Sequence, residues 1–319
     1  KKSQAMLSIR SVLRFALCLV TLVILTSAMS CAASGQNAES LDTGPVGWQE
    51  LKLEHDGLDR WFRVYRPAGL TAESPVVVLL HGGTQSMRKI FRPRSGGTQE
   101  WWHVAEREKF LLLVPNGINP DTGDTFGNRQ HWKDVRNASR VNNPRVDDVG
   151  FIRTLLQWTR RNYRVDRSRF YVTGASNGGM MTYRLLMEMS EEFAAGAAFI
   201  ANLPVDGQRL RIPLRAVPLL ICNGTDDPVV RWDGGEIPGG RGNVRSAEQT
   251  LSWWVKANRA DWRHPKSDPV LNADSADGCR IYRTSYPPLA GGAVVEFIRM
   301  QGGGHTLPSK NHPLPDRLW

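Results

Sequence analysis

The chain has 319 residues, 41% hydrophobic and 23% charged, proportions that exclude a mainly disordered polypeptide. Its 30 glycines and 19 prolines, with no internal period, exclude collagen-like, low-complexity and solenoid architectures. The net charge of +10 is interleaved with acids instead of massed in one block, so no nucleic-acid partner is expected.

The first segment is a leader. Lys1, Lys2, Arg10 and Arg14 precede an uncharged apolar run at 15–25, and small residues follow at 26–33. That order is a secretory signal, and the apolar run is shorter than the roughly 20 residues a spanning helix needs. Residues 1–30 are therefore expected to be a signal peptide and the product to be exported. Ala28-Met29-Ser30-Cys31 also resembles a bacterial lipobox, with Ala28 where Leu is preferred. Lipidation of Cys31, with membrane attachment, and ordinary cleavage to a secreted or periplasmic enzyme are both open. Residues 31–47 read as a polar tether and 48–319 as the catalytic domain.

Beyond the tether, 48–54 and 60–65 alternate around the turn residues 55–58, which predicts an antiparallel hairpin. Continuous aliphatic runs at 76–80, 110–114, 170–172, 218–221 and 294–298 predict strands covered on both faces, and 193–200 is a weaker candidate. Helical patterns at 99–108, 148–163, 178–192 and 246–260 fall between them. Strand and helix in alternation predict an α/β fold, a mainly parallel sheet with helices on both faces and the hairpin at its start. The polar stretch 116–145 reads as a lid or substrate-side loop, and the glycine-rich stretch 232–243 as a second one. At the start of the 148–163 helix, Asp147 or Asp148 is expected to cap.

The chemistry concentrates at Gly174-Ala175-Ser176-Asn177-Gly178, a Gly-x-Ser-x-Gly directly between strand and helix. This is a nucleophile elbow, in which glycines admit a tight turn and the serine projects at a helix N-terminus. A serine hydroxyl needs a base, and the chain order Ser, acid, His points to His305 in its glycine loop. His264 and His312 read as surface residues. The acid follows the 218–221 strand, where Asp226 and Asp227 are adjacent and both eligible. Two oxyanion donors are expected, the N–H of Asn177 and that of Gly83 ahead of Thr84. His81 reads as a loop-fixing hydrogen-bonder, and Trp132 and Trp232 as substrate contacts. Cys222 and Cys279 are either a disulfide or two buried thiols. No zinc spacing, dinucleotide fingerprint or phosphate-loop lysine occurs, so no metal or cofactor is expected.

With Leu80-His81-Gly82-Gly83, the Trp132 loop, Val146-Asp147-Asp148-Val149-Gly150, the elbow, Gly224-Thr225-Asp226-Asp227-Pro228 and Gly302-Gly303-Gly304-His305-Thr306 together, the chain resembles the polyhydroxybutyrate depolymerase and feruloyl esterase group of α/β-hydrolases. The resemblance spans roughly residues 48 to 308. It implies the α/β-hydrolase fold, Ser176 as nucleophile, Asp227 as acid and His305 as base. Leu307-Pro308 stands where the group has Trp-Pro, and the group's terminal helix is expected to be cut short at Trp319. The resulting expectation is an exported serine carboxylic-ester hydrolase acting on short hydroxyacyl esters or polyhydroxybutyrate-type oligomers. Feruloyl or acetyl esters of plant polysaccharides are the alternative substrates. A non-catalytic hydrolase-fold envelope binding protein is the alternative of another class.

Overall fold

In the computed structural model, the residues described are 45–92, 98–136, 146–206, 210–268 and 280–307. The signal peptide, most of the tether, Cys31, Cys279, His312 and everything past Leu307 lie outside them. Twelve strands and four α-helices occur among the described residues. The strands are β1 (Gly47–His55), β2 (Leu58–Arg66), β3 (Val76–Leu80), β4 (Leu111–Pro115), β5 (Phe170–Ala175), β6 (Ala195–Phe199), β7 (Leu219–Gly224), β8 (Gly235–Glu236), β9 (Asn243–Val244), β10 (Lys266–Ser267), β11 (Arg280–Tyr286) and β12 (Val295–Gln301). The helices are α1 (Trp101–Glu108), α2 (Asp148–Asn162), α3 (Asn177–Glu188) and α4 (Ala247–Ala257).

Ten strands form one sheet in the order β1-β2-β4-β3-β5-β6-β7-β12-β11-β10. The six central strands from β4 to β12 run parallel. The predicted hairpin pairs from Gly47 with Arg66 to His55 with Leu58 and joins the sheet antiparallel to β4. The opposite edge is antiparallel as well, through β11 and β10, which the sequence reading did not anticipate. The reason is chemical. In β11 only Ile281 is fully buried and the other six residues are polar or half-exposed, so no aliphatic run marks it.

Pleat alternation sorts β3 between two cores. Val76, Val78 and Leu80 pack with Phe151, Leu155, Met181, Leu251 and Trp254 from α2, α3 and α4. Val77 and Leu79 pack on the other face with Val104 and Ala105 of α1. Helix starts are set locally. Ser246 and Gln249 form a reciprocal capping box on α4. Asp147 caps α2 by accepting from Gly150 N–H at 2.9 Å.

Asp148 has a different role. Its Oδ1 accepts from the Arg60 guanidinium at 2.6 Å, its Oδ2 accepts from Lys133 N–H at 2.7 Å, and both side chains are almost wholly buried. The Arg60 guanidinium also lies 4.1 Å over the Phe151 ring. This pair ties β2, α2 and the loop after β4 together. We predict that Asp148→Ala destabilises by about 3–5 kcal/mol, because it strands a buried guanidinium. The denaturation midpoint measures this, and a loss below about 1 kcal/mol, the range of an exposed pair, contradicts it.

Candidate active site

The elbow forms between β5 and α3. Ser176 is held at φ 56° and ψ −121°, a conformation a non-glycine residue adopts only under constraint. The crowding that imposes it falls on the flanking glycines. A Cβ on Gly174 would lie 2.5 Å from the Gly178 carbonyl carbon, and one on Gly178 would lie 2.4 Å from the Leu80 carbonyl oxygen. Ser176 occupies the N-cap of α3, yet its hydroxyl caps nothing. The hydroxyl instead faces His305, with Oγ 3.1 Å from Nε2.

His305 arrives on the loop after β12, next to the loop after β7 because those strands are parallel neighbours. Hydrogen bonds stitch the two loops. Asp226 N–H donates to the Gly303 carbonyl at 2.9 Å, and Gly302 N–H donates to Thr225 Oγ1 at 2.8 Å. Gly224 allows this approach, since a Cβ there would lie 2.2 Å from the Gly303 carbonyl oxygen. His305 Nδ1 lies 2.7 Å from Asp227 Oδ2. The other oxygen of Asp227 accepts from Val229 and Val230 N–H, both at 2.8 Å. Asp226 instead accepts from the Thr225 hydroxyl at the surface. The geometry thus separates the two carboxylates that sequence left ambiguous.

Glycines 82 and 83 follow β3. Thr84 N–H donates to the Gln130 carbonyl at 2.9 Å, so its amide is already spent and Gly83 stands as the donor candidate. A Cβ on Gly83 would lie 3.6 Å from Asn177 Cβ, which brings the two expected donors side by side. The Asn177 N–H belongs to the first turn of α3, where main-chain donors lack an intrahelical partner. His81 fixes this loop, as expected. Its Nδ1–H donates to the Gly82 carbonyl at 2.8 Å and its Nε2 accepts from Gly117 N–H at 2.9 Å. Burial pushes its pKa down to about 3, so it is neutral.

The structure corrects one sequence expectation, that of Trp132 as a substrate contact. Trp132 has no exposed surface, and its indole N–H donates to the His81 carbonyl at 3.0 Å. It braces the loop after β3 from within the core. Trp232 packs against Phe297, with ring centroids 5.7 Å apart, and lines a cleft of about 430 Å³ with Tyr282, Arg283 and Glu248. None of Ser176, Asp227 and His305 lines that cleft. In the described part of the 116–145 loop, Ile118 pairs with His131 and Gln85 with Gln130.

Sequence reasoning missed a buried polar line behind Asn177. The Asn177 side chain accepts from Trp132 N–H at 2.8 Å, donates to the Trp132 carbonyl at 2.9 Å and donates to Asp134 at 2.7 Å. Asp134 is paired with the buried Arg136, which also donates to the Arg241 carbonyl at 2.9 Å. No motif marked these residues; a charged pair two apart in an otherwise polar loop was the only available signal.

Comparison with known proteins gives several relatives. "Putative esterase NocK" of Nocardia uniformis subsp. tsuyamanensis is 30% identical over 271 residues, 81% of this chain and 73% of that protein. Feruloyl esterase D of Neurospora crassa is 22% identical, covering 93% of this chain and 94% of its own length. The bifunctional acetylxylan esterase/xylanase XynS20E of Neocallimastix patriciarum is 23% identical over 93% of this chain, which spans only 40% of that protein. The solved acetyl xylan esterase from Aspergillus awamori shares the fold, with a TM-score of 0.56 at 16% identity over 82% of this chain and 96% of that one. No family model matches the chain.

Proposed function

Since the chain belongs to the esterase group of α/β-hydrolases, as its 30% identity to the putative esterase NocK and its fold show, we propose that this carboxylic-ester hydrolase works through Ser176 and an acyl-enzyme. The observation that carries the reading is the unbroken line from Ser176 Oγ to His305 to the buried Asp227.

Ser176 Oγ attacks the ester carbonyl carbon while His305 Nε2 takes the hydroxyl proton. Asp227 accepts from His305 Nδ1–H, which leaves Nε2 as the free base and stabilises the imidazolium once formed. The carbonyl oxygen becomes an oxyanion beside the Gly83 and Asn177 N–H groups, at the positive end of α3. The tetrahedral intermediate then collapses. The alkoxide leaves with the proton from His305, and the acyl group stays on Ser176. Water, deprotonated by His305, attacks the acyl carbon. The second tetrahedral intermediate collapses to free carboxylic acid as His305 returns that proton to the leaving Ser176 Oγ. These groups account for every atom and proton, so the proposed route calls on no metal or cofactor.

The substrates we propose are acetyl or feruloyl esters of polysaccharides, in keeping with the relatives' names. Short hydroxyacyl esters, the class the sequence motifs put first, are the competing choice. The basic leader and small residues before Cys31 support export, to the envelope or beyond it. A panel of p-nitrophenyl butyrate, methyl ferulate and soluble hydroxybutyrate oligomers tests the reading. Hydrolysis should persist in EDTA and vanish after treatment with a serine-directed phosphonate. Complete inertness of the exported protein toward the panel would favour a binding protein, and loss to EDTA alone would overturn the mechanism.

A further inference from the structure

His131 falls in no catalytic motif, yet the fold carries it to the edge of the site. Its N–H donates to the Ile118 carbonyl at 2.9 Å and its carbonyl accepts from Ile118 N–H at 3.0 Å. The next residue, Trp132, is held at both main-chain groups by the Asn177 side chain. The His131 backbone is thus fixed on both sides, and its side chain lies against Gly83. Its Cδ2 and Nε2 would each lie 3.0 Å from a Cβ built on Gly83. The same point is 3.6 Å from Asn177 Cβ. The imidazole edge therefore stands beside Gly83 and Asn177, the two residues proposed as oxyanion donors.

The two ring nitrogens are in different surroundings. Nδ1 is closed off from solvent and has no hydrogen-bond partner among the described residues. A buried nitrogen without a partner is tolerated better as a lone pair than as an unsatisfied N–H, which assigns the proton to Nε2. Burial holds the imidazole pKa below its usual value, and the Arg136 and Arg241 guanidinium groups push it further down against Asp134 and Asp121. His131 is thus a neutral ring whose N–H lies on the Gly83 side.

We propose that His131 supplies a third hydrogen-bond donor at the oxyanion site, its Nε2–H binding the ester carbonyl oxygen as that atom gains charge. The inference rests on Ser176 as nucleophile. It also accounts for glycine at position 83, where any side chain would press on the imidazole edge.

The test compares His131→Phe, which keeps a ring and removes the donor, with His131→Gln, which keeps a donor. Steady-state kinetics on p-nitrophenyl butyrate are read beside the Ki of butaneboronic acid, whose boron becomes tetrahedral on a nucleophilic serine. For H131F, kcat and kcat/KM should fall together by about 10- to 100-fold, because the bond strengthens only in the transition state. KM should hold, the boronate Ki should rise by a similar factor, and H131Q should recover most of both. A kcat for H131F within about twofold of the unaltered protein, a change in KM alone, or an H131Q as poor as H131F would overturn the proposal. If H131F proves thermally unstable, the boronate affinity of H131Q decides: retained affinity supports the donor role and lost affinity contradicts it. An unaltered protein no faster than S176A would sink the nucleophile itself, whereas an active enzyme indifferent to H131F sinks only this inference.

Discussion

Replacing Ser176 by Ala is expected to lower ester turnover by roughly 10⁴ to 10⁶, the range seen when a triad nucleophile is removed. The loss should be confined to chemistry. The hydroxyl caps no helix and binds only His305 among the described residues, so deleting it leaves the elbow's packing untouched. The strained backbone at φ 56° is equally unfavourable for Ser and Ala, so it contributes no difference between the two. Circular dichroism and the thermal midpoint should match the unaltered protein. Turnover near the unaltered value would remove Ser176 from the mechanism.

The second large effect is expected at Asp227. Asp227→Asn should lower turnover by about four orders of magnitude, through the tautomer of His305. One side-chain oxygen at 227 already accepts from Val229 and Val230 N–H. An Asn in its place keeps its carbonyl on those two donors and turns its NH2 toward His305 Nδ1. The imidazole must then accept at Nδ1 and carry its proton on Nε2, where it cannot take the proton of Ser176. Asp226 is exposed and accepts from Thr225, so Asp226→Asn should leave turnover almost unchanged. Kinetics of the pair on one short ester decide it. A severe loss at 226 with a mild one at 227 would exchange the roles.

The elements that carry the chemistry were readable from the chain because their signals are local. The buried parallel strands are unbroken aliphatic runs, and the elbow needs glycine at 174 and 178 for steric reasons confined to one turn. Chain order placed an acid and His305 near Ser176. It could not choose between adjacent carboxylates, because that choice depends on which one the β7 loop turns inward. The second antiparallel edge was invisible for the opposite reason: β11 is half-exposed and mixes Arg, Thr and Ser with Tyr.

Long-range partners account for the remaining misses. Trp132 looked like a substrate contact because aromatic residues in site loops often are, but its indole is spent on the His81 carbonyl. Asp148 looked like a second capping candidate, but its partner is Arg60, 88 residues earlier. The Asn177–Asp134–Arg136 line joins segments more than 40 residues apart through hydrogen bonds that no spacing rule encodes.

The central claim is that Ser176 forms the covalent bond to the acyl group. The most direct measurement is peptide mass spectrometry of the protein after inactivation by a fluorophosphonate probe. The account predicts one probe-derived mass on the peptide containing Ser176, appearing in step with loss of esterase activity and absent from S176A. A protein inactivated with its label on another residue, or labelled at Ser176 while still fully active, would contradict it.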